Sequence, residues 1–151
     1  MDATDRKILQ IVQTDSSLSI AAIAAKVGLS QTPCWKRIQK LEAEGIIRRR
    51  IALLDPVKLG LGITVFVTIE VGEHAHDKLD QFAKTISAMS EVLDLYRMAG
   101  DVDYLLKVVV ADTKSFDAFY KRLIDTLPLK KVTSRFALES IKAETALPIH
   151  V

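Results

Sequence analysis

Hydrophobic residues recur with a helical period over roughly the first forty positions and then alternate, as strands do, in several later segments. Ile8, Leu9, Ile11 and Val12 share one side of a helix that Asp2 can cap and the polar run 14–17 ends. Ser19 can cap a second helix carrying Ile20, Ile23, Ala24 and Val27, with Gly28 as its stop. Only Gly28 and Leu29 separate that stop from Ser30, the cap of a third helix that tolerates Pro33 in its first turn and ends at Gly45. Two helices joined by so short a glycine-containing turn predict a helix-turn-helix, whose second member enters the DNA major groove.

The third helix can be read by face. Cys34, Ile38 and Leu41 lie on one side, and Thr32, Lys36, Gln39 and Lys40 lie opposite. Lysine bonds phosphate or guanine, glutamine reads adenine, and threonine offers a hydroxyl or a methyl group, so the outer side suits DNA. Ser30 and Gln31 at the helix start and Trp35 and Arg37 on its flanks complete the expected contact set. The run IIRRRIALL (46–54) is β-compatible and reads as a wing, with Arg48, Arg49 and Arg50 extending the phosphate-contacting surface.

Beyond residue 60 the pattern predicts strand, helix, strand, strand, helix, strand. The strands are 63–71, 92–98, 104–110 and 132–138. One helix carries Leu79, Phe82, Ala83 and Ile86. The other, capped by Asp112 or Thr113, turns Phe116, Phe119, Tyr120, Leu123 and Leu127 inward before Pro128. This order is the split βαβ, or ferredoxin-like, arrangement. The fold class is α+β: a winged helix-turn-helix over 1–60 with its wing and linker, then a ferredoxin-like βαββαβ domain over 61–151. A sheet with helices on one face leaves an apolar face open, so association through that face is expected.

Charge sharpens the division. Up to Gly60 ten basic side chains face six acidic ones, whereas from Leu61 onward eleven face thirteen. The net +2 is therefore an excess on the first segment, as a polyanion-binding module requires. No apolar run is long enough to span a membrane, and acids stand where a signal peptide has bases, so a cytoplasmic protein without membrane association is expected. The single cysteine cannot form an internal disulfide.

The motifs DRKIL (5–9), LSQTPCWKRIQKLEAEGII (29–47), LDPVKLG (54–60), MAGDVDYLL (98–106) and SIKAETALPI (140–149) together resemble the leucine-responsive/asparagine-responsive (Lrp/AsnC, feast/famine) family of transcription regulators. The resemblance covers nearly the whole chain. It implies double-stranded DNA and a small amino acid effector as partners, no cofactor, and a homo-oligomer built from dimers, such as an octamer. It also implies an effector site beside the G-x-x-D turn at 100–103, formed by Met98, Gly100, Asp101, Val102, Asp103 and Tyr104 with Thr133 and Ser134 from the last strand. The segments TPCWKR, ALLDP and RMAG-x-x-DYL are similar to those of the subgroup that responds to cysteine.

Rival readings exist. Cys34 as a redox sensor is opposed by its place on the inward stripe, where small buried cysteines are common. His74, His76 and His150 as a metal site lack a companion cysteine or acidic set. Asp101 and Asp103 also suit an ordinary turn. A ferredoxin-like enzyme acting on a small metabolite is the alternative class, but no phosphate-binding glycine loop, metal cluster or paired nucleophile and base supports it. RNA binding by the later sheet is disfavoured, because that sheet lacks paired aromatics and is acidic.

Overall fold

The computed structural model describes residues 1–72 and 76–151, apart from the side chains of His76 and Asp77. Two compact units result: Met1–Leu53 together with Ile141–Val151, and Leu54–Ser140. The segment 141–151, which sequence pattern assigns to the second domain, lies with the first.

In the first unit α1 (Ala3–Thr14), α2 (Ile20–Val27) and α3 (Gln31–Ala43) enclose one core. Asp2 and Asp5 form a reciprocal capping box at the start of α1, each carboxylate accepting from the other residue's amide at 2.8–2.9 Å. The Ser19 hydroxyl accepts from the Ala22 amide and caps α2. Gly28 ends α2 at φ +71, a left-handed conformation that permits the abrupt turn into α3. Ile8, Ile23, Cys34, Ile38 and Leu41 are all but fully buried where the helices meet.

The run 46–54 forms no strand. The expectation of a β-type wing is corrected here: a strand exists by pairing, and the described residues of the chain supply this run with no neighbour to pair with.

The second unit runs β1 (Ile63–Val71), α4 (His76–Ser87), β2 (Val92–Arg97), β3 (Tyr104–Val110), α5 (Thr113–Ile124) and β4 (Leu129–Phe136). The sheet order is β2-β3-β1-β4 with every neighbouring pair antiparallel. This is the ferredoxin-like arrangement expected from the element order. Val65, Val67 and Ile69 of β1 point to the helices and are fully buried, while Phe66 between them is exposed on the open face. Phe82, Phe119 and Leu123 fill the space between sheet and helices, each contributing about 1.5–3 kcal/mol by burial. Asp112 caps α5 through the Ser115 amide at 2.7 Å.

The last strand departs from expectation. It starts at Leu129, immediately after Pro128, and ends at Phe136, so Leu138 lies outside it and is fully exposed. Lys130 and Lys131 hide the strand's start, because alternation there reads as polar. No helix among the described residues is long and apolar enough to cross a membrane.

Candidate nucleic-acid interface and effector site

The structure sorts the faces of α3 as the helical period requires. Cys34, Ile38 and Leu41 are buried, and Gln31, Thr32, Trp35, Lys36, Gln39 and Lys40 are exposed. Burial pushes the Cys34 thiol up, which keeps it protonated and supports packing over redox chemistry. Ser30 takes the N-cap position of α3, but its side chain makes no cap bond. Lys36 has no ion pair among the described residues. Lys40 approaches Glu44 at 3.8 Å, an exposed i,i+4 pair too weak to hold it from a phosphate.

Arg37 behaves differently. Its Nη1 donates to Asp2 and to Asp5, both at 2.7 Å, and ties α3 to the capped end of α1. The Asp5 amide, then Arg37, lowers the Asp2 carboxyl below its ordinary value. Burial opposes ionisation of Asp5, but the Asp2 amide and the Arg37 guanidinium outweigh it and also leave this carboxyl lowered. Sequence pattern misses the cluster, since the only local sign is an acid three residues after an acidic cap.

Past α3, Arg50 pairs with Glu42 at 3.0 Å, whereas Arg48 and Arg49 are exposed and have no ion pair among the described residues. Lys36, Arg48 and Arg49 are thus exposed cations without an ion pair among the described residues, and Lys40 has only a weak one.

The second candidate site begins at the β2–β3 connection. Met98 donates its amide to the Asp103 carbonyl at 2.8 Å and closes the turn, in which Gly100 adopts φ +121. Asp103 is anchored to β1 twice: its amide donates to the Ile69 carbonyl, and its Oδ2 accepts from the Val71 amide at 2.7 Å. The second carboxylate oxygen of Asp103, the Asp101 carboxylate and the amides of residues 100–102 have no protein hydrogen bond among the described residues.

Not every expected effector residue joins this turn. Tyr104 faces the helices, buried against Phe82 with ring centroids 5.3 Å apart. Thr133 and Ser134 lie on β4, separated from β3 by β1. Thr133 pairs with Thr68 on the open face and Ser134 with Val67 on the helix face, so one ligand cannot meet both side chains from the same side. Sequence pattern also passes over Arg97, which precedes Met98. With Asp80 and Tyr104 it lines a cavity of about 310 Å³ between α4 and the edge of the sheet. As for the histidine metal site, His74 and the His76 side chain lie outside the described residues, and the His150 carbonyl accepts a hydrogen bond from Arg6.

A helix-turn-helix with a basic outer helix, joined to a ferredoxin-like unit, defines a DNA-binding transcription regulator with a separate ligand-type domain. Residues 1–48 match the family model for winged helix-turn-helix DNA-binding domains, and residues 64–147 match that for the Lrp/AsnC ligand binding domain. The chain belongs to the Lrp/AsnC family of transcription regulators. It is similar to the DNA-binding transcriptional activator DecR of Escherichia coli K12, with 49% identity covering 99% of each chain. Among solved structures it resembles an AsnC family transcriptional regulator from Agrobacterium tumefaciens, with TM-score 0.95 and 55% identity over 98% of this chain and 97% of that one. It also resembles a Neisseria meningitidis transcriptional regulator in complex with L-methionine, with TM-score 0.93 and 34% identity over 98% and 96%. The regulator reading therefore stands over the enzyme alternative.

Proposed function

We propose that this regulator binds operator DNA through α3 and the arginines that follow it, and that a small amino acid held near the turn at 100–103 modulates that binding or the assembly of the protein. The observation that carries the first half is the sorting of α3, with its apolar stripe fully inward and Lys36 and Lys40 outward. In this reading Thr32 and Gln39 read bases, while Ser30, Gln31, Trp35, Arg48, Arg49 and Arg50 contact the backbone, Gln39 and Arg50 after release from Glu42. Arg37 ties α3 to the start of α1 through Asp2 and Asp5. A cytoplasmic location is part of this reading, since the regulator must reach its DNA.

For the effector, a zwitterion needs an anion for its ammonium and donors for its carboxylate. The free oxygen of Asp103 and the Asp101 carboxylate offer the first, and the unpaired amides of 100–102 the second. Met98, Gly100 and Val102 shape the turn, Tyr104 supports it from the core, and Thr133 is the β4 hydroxyl on the open face. Cysteine is the first candidate on the motif resemblance. The methionine complex of the Neisseria relative supports a sulfur-containing amino acid.

The oligomer uses the open sheet face, where Phe66 and Tyr96 are exposed, and dimers assemble further. Calorimetric titration of wild type, Asp101→Ala and Arg97→Ala with each amino acid tests the site. Binding lost in Asp101→Ala supports the turn. Binding lost only in Arg97→Ala moves the ligand into the neighbouring cavity, whose Asp80 and Arg97 also offer both charges.

A further inference from the structure

The segment 141–151 has no regular secondary structure, and its one backbone-to-backbone hydrogen bond among the described residues runs from the Ile149 amide to the Leu147 carbonyl. What holds it is α1. Arg6, Gln10 and Gln13 lie on one face of that helix at i, i+4 and i+7. Arg6 donates to the His150 carbonyl at 2.9 Å and Gln10 to the Ile149 carbonyl at 2.8 Å. Gln13 donates to the Leu147 carbonyl at 3.0 Å and accepts from the Leu147 amide at 2.8 Å, pairing with the backbone as a neighbouring strand would. The Ile149 side chain packs against the helical core. Three long polar side chains reading main chain, with one apolar anchor, form a peptide-recognition surface.

We propose that 141–151 is an intramolecular peptide ligand of α1, a latch whose seating holds α1 and, through the Asp2–Asp5–Arg37 cluster, the recognition helix in the arrangement that binds DNA. The seat and the cluster lie on the same twelve-residue helix, and Arg37 is its charged tie to α3. The latch can open: side-chain contacts to a segment without pairing of its own belong to the low-stability end of a fold. The coupling to DNA rests on the reading of α3 given above; the seating does not.

Hydrogen exchange of α1 amides and operator affinity are to be compared in the full chain, a chain ended at Ser140, Gln13→Ala and Leu147→Pro. Gln13→Ala leaves a good helix former, and Leu147→Pro removes the donating amide without touching α1. In all three variants α1 exchange is expected to accelerate about fivefold or more while β1 and β3 are unchanged, with a parallel loss of operator affinity. Unchanged α1 exchange in both point variants overturns the latch. Faster exchange with wild-type operator affinity overturns its coupling to α3. A full chain that binds no DNA overturns the functional reading, and the exchange comparison still judges the seating.

Discussion

Lys36 and Arg37 are neighbours in sequence with opposite employment. Among the described residues Lys36 has no ion pair on the outer side of α3, whereas Arg37 is occupied by two carboxylates 2.7 Å away. Lys36→Ala and Lys40→Ala are therefore expected to weaken operator binding without loss of fold. A phosphate contact lowers the salt slope by about one unit, and a base contact costs about 1–3 kcal/mol and relaxes specificity. Titrations of operator and random DNA across a salt series measure both. Asp5→Ala removes a cap partner and one anchor of Arg37, and a loss of about 1–2 kcal/mol in denaturant unfolding is expected. The pH dependence has a definite sign. Asp2 and Asp5 are lowered from 3.8, so their contribution is complete above that value and disappears as pH falls through the lowered one. The gap between wild type and Asp5→Ala should be level near neutrality and narrow below about pH 4; a gap that widens with acid contradicts the assignment.

At the level of elements, what the sequence discloses depends on how far apart the cooperating residues are. Caps and stripes work within four residues, which is why Asp2, Ser19, Gly28 and Asp112 mark helix ends correctly and the four strands appear in their right order. The alternation of β1 is legible because one of its faces is buried. The run 46–54 shows the reverse case: its β-branched and arginine residues suit a strand, but pairing is not a local property. The start of β4 is hidden because the lysines there follow the partner strand rather than a hydrophobic rule. In the candidate effector site the turn is legible as a motif. The separation of Thr133 from Ser134 is not, since it depends on the register of β4 against β1. The turn between β2 and β3 has its own test. Gly100 sits at φ +121, and a Cβ added there would meet nothing within 4 Å, so the objection to a side chain is backbone conformation rather than space. Gly100→Ala should lower the melting temperature, at about 1–3 kcal/mol, through the second unit.

On the scale of the whole molecule the open sheet face and the divided first unit matter most. Phe66 and Tyr96 stand exposed beside Lys107 and Asp94 on one face, a surface apolar enough to associate and charged enough to fix a register. Light scattering on Phe66→Asp should show a smaller species than wild type at micromolar concentration; an unchanged mass places the interface elsewhere. The first unit draws on residues more than 130 positions apart, and no periodicity could reveal this. Its discontinuity has a consequence during synthesis. The three helices emerge from the ribosome first, yet the face of α1 bearing Arg6, Gln10 and Gln13 stays unfilled until residues 147–150 have been made, on the order of ten seconds later at ordinary elongation rates. For that interval the helices must stand without their final contact, and the second unit has time to form and find a partner subunit before the first is complete.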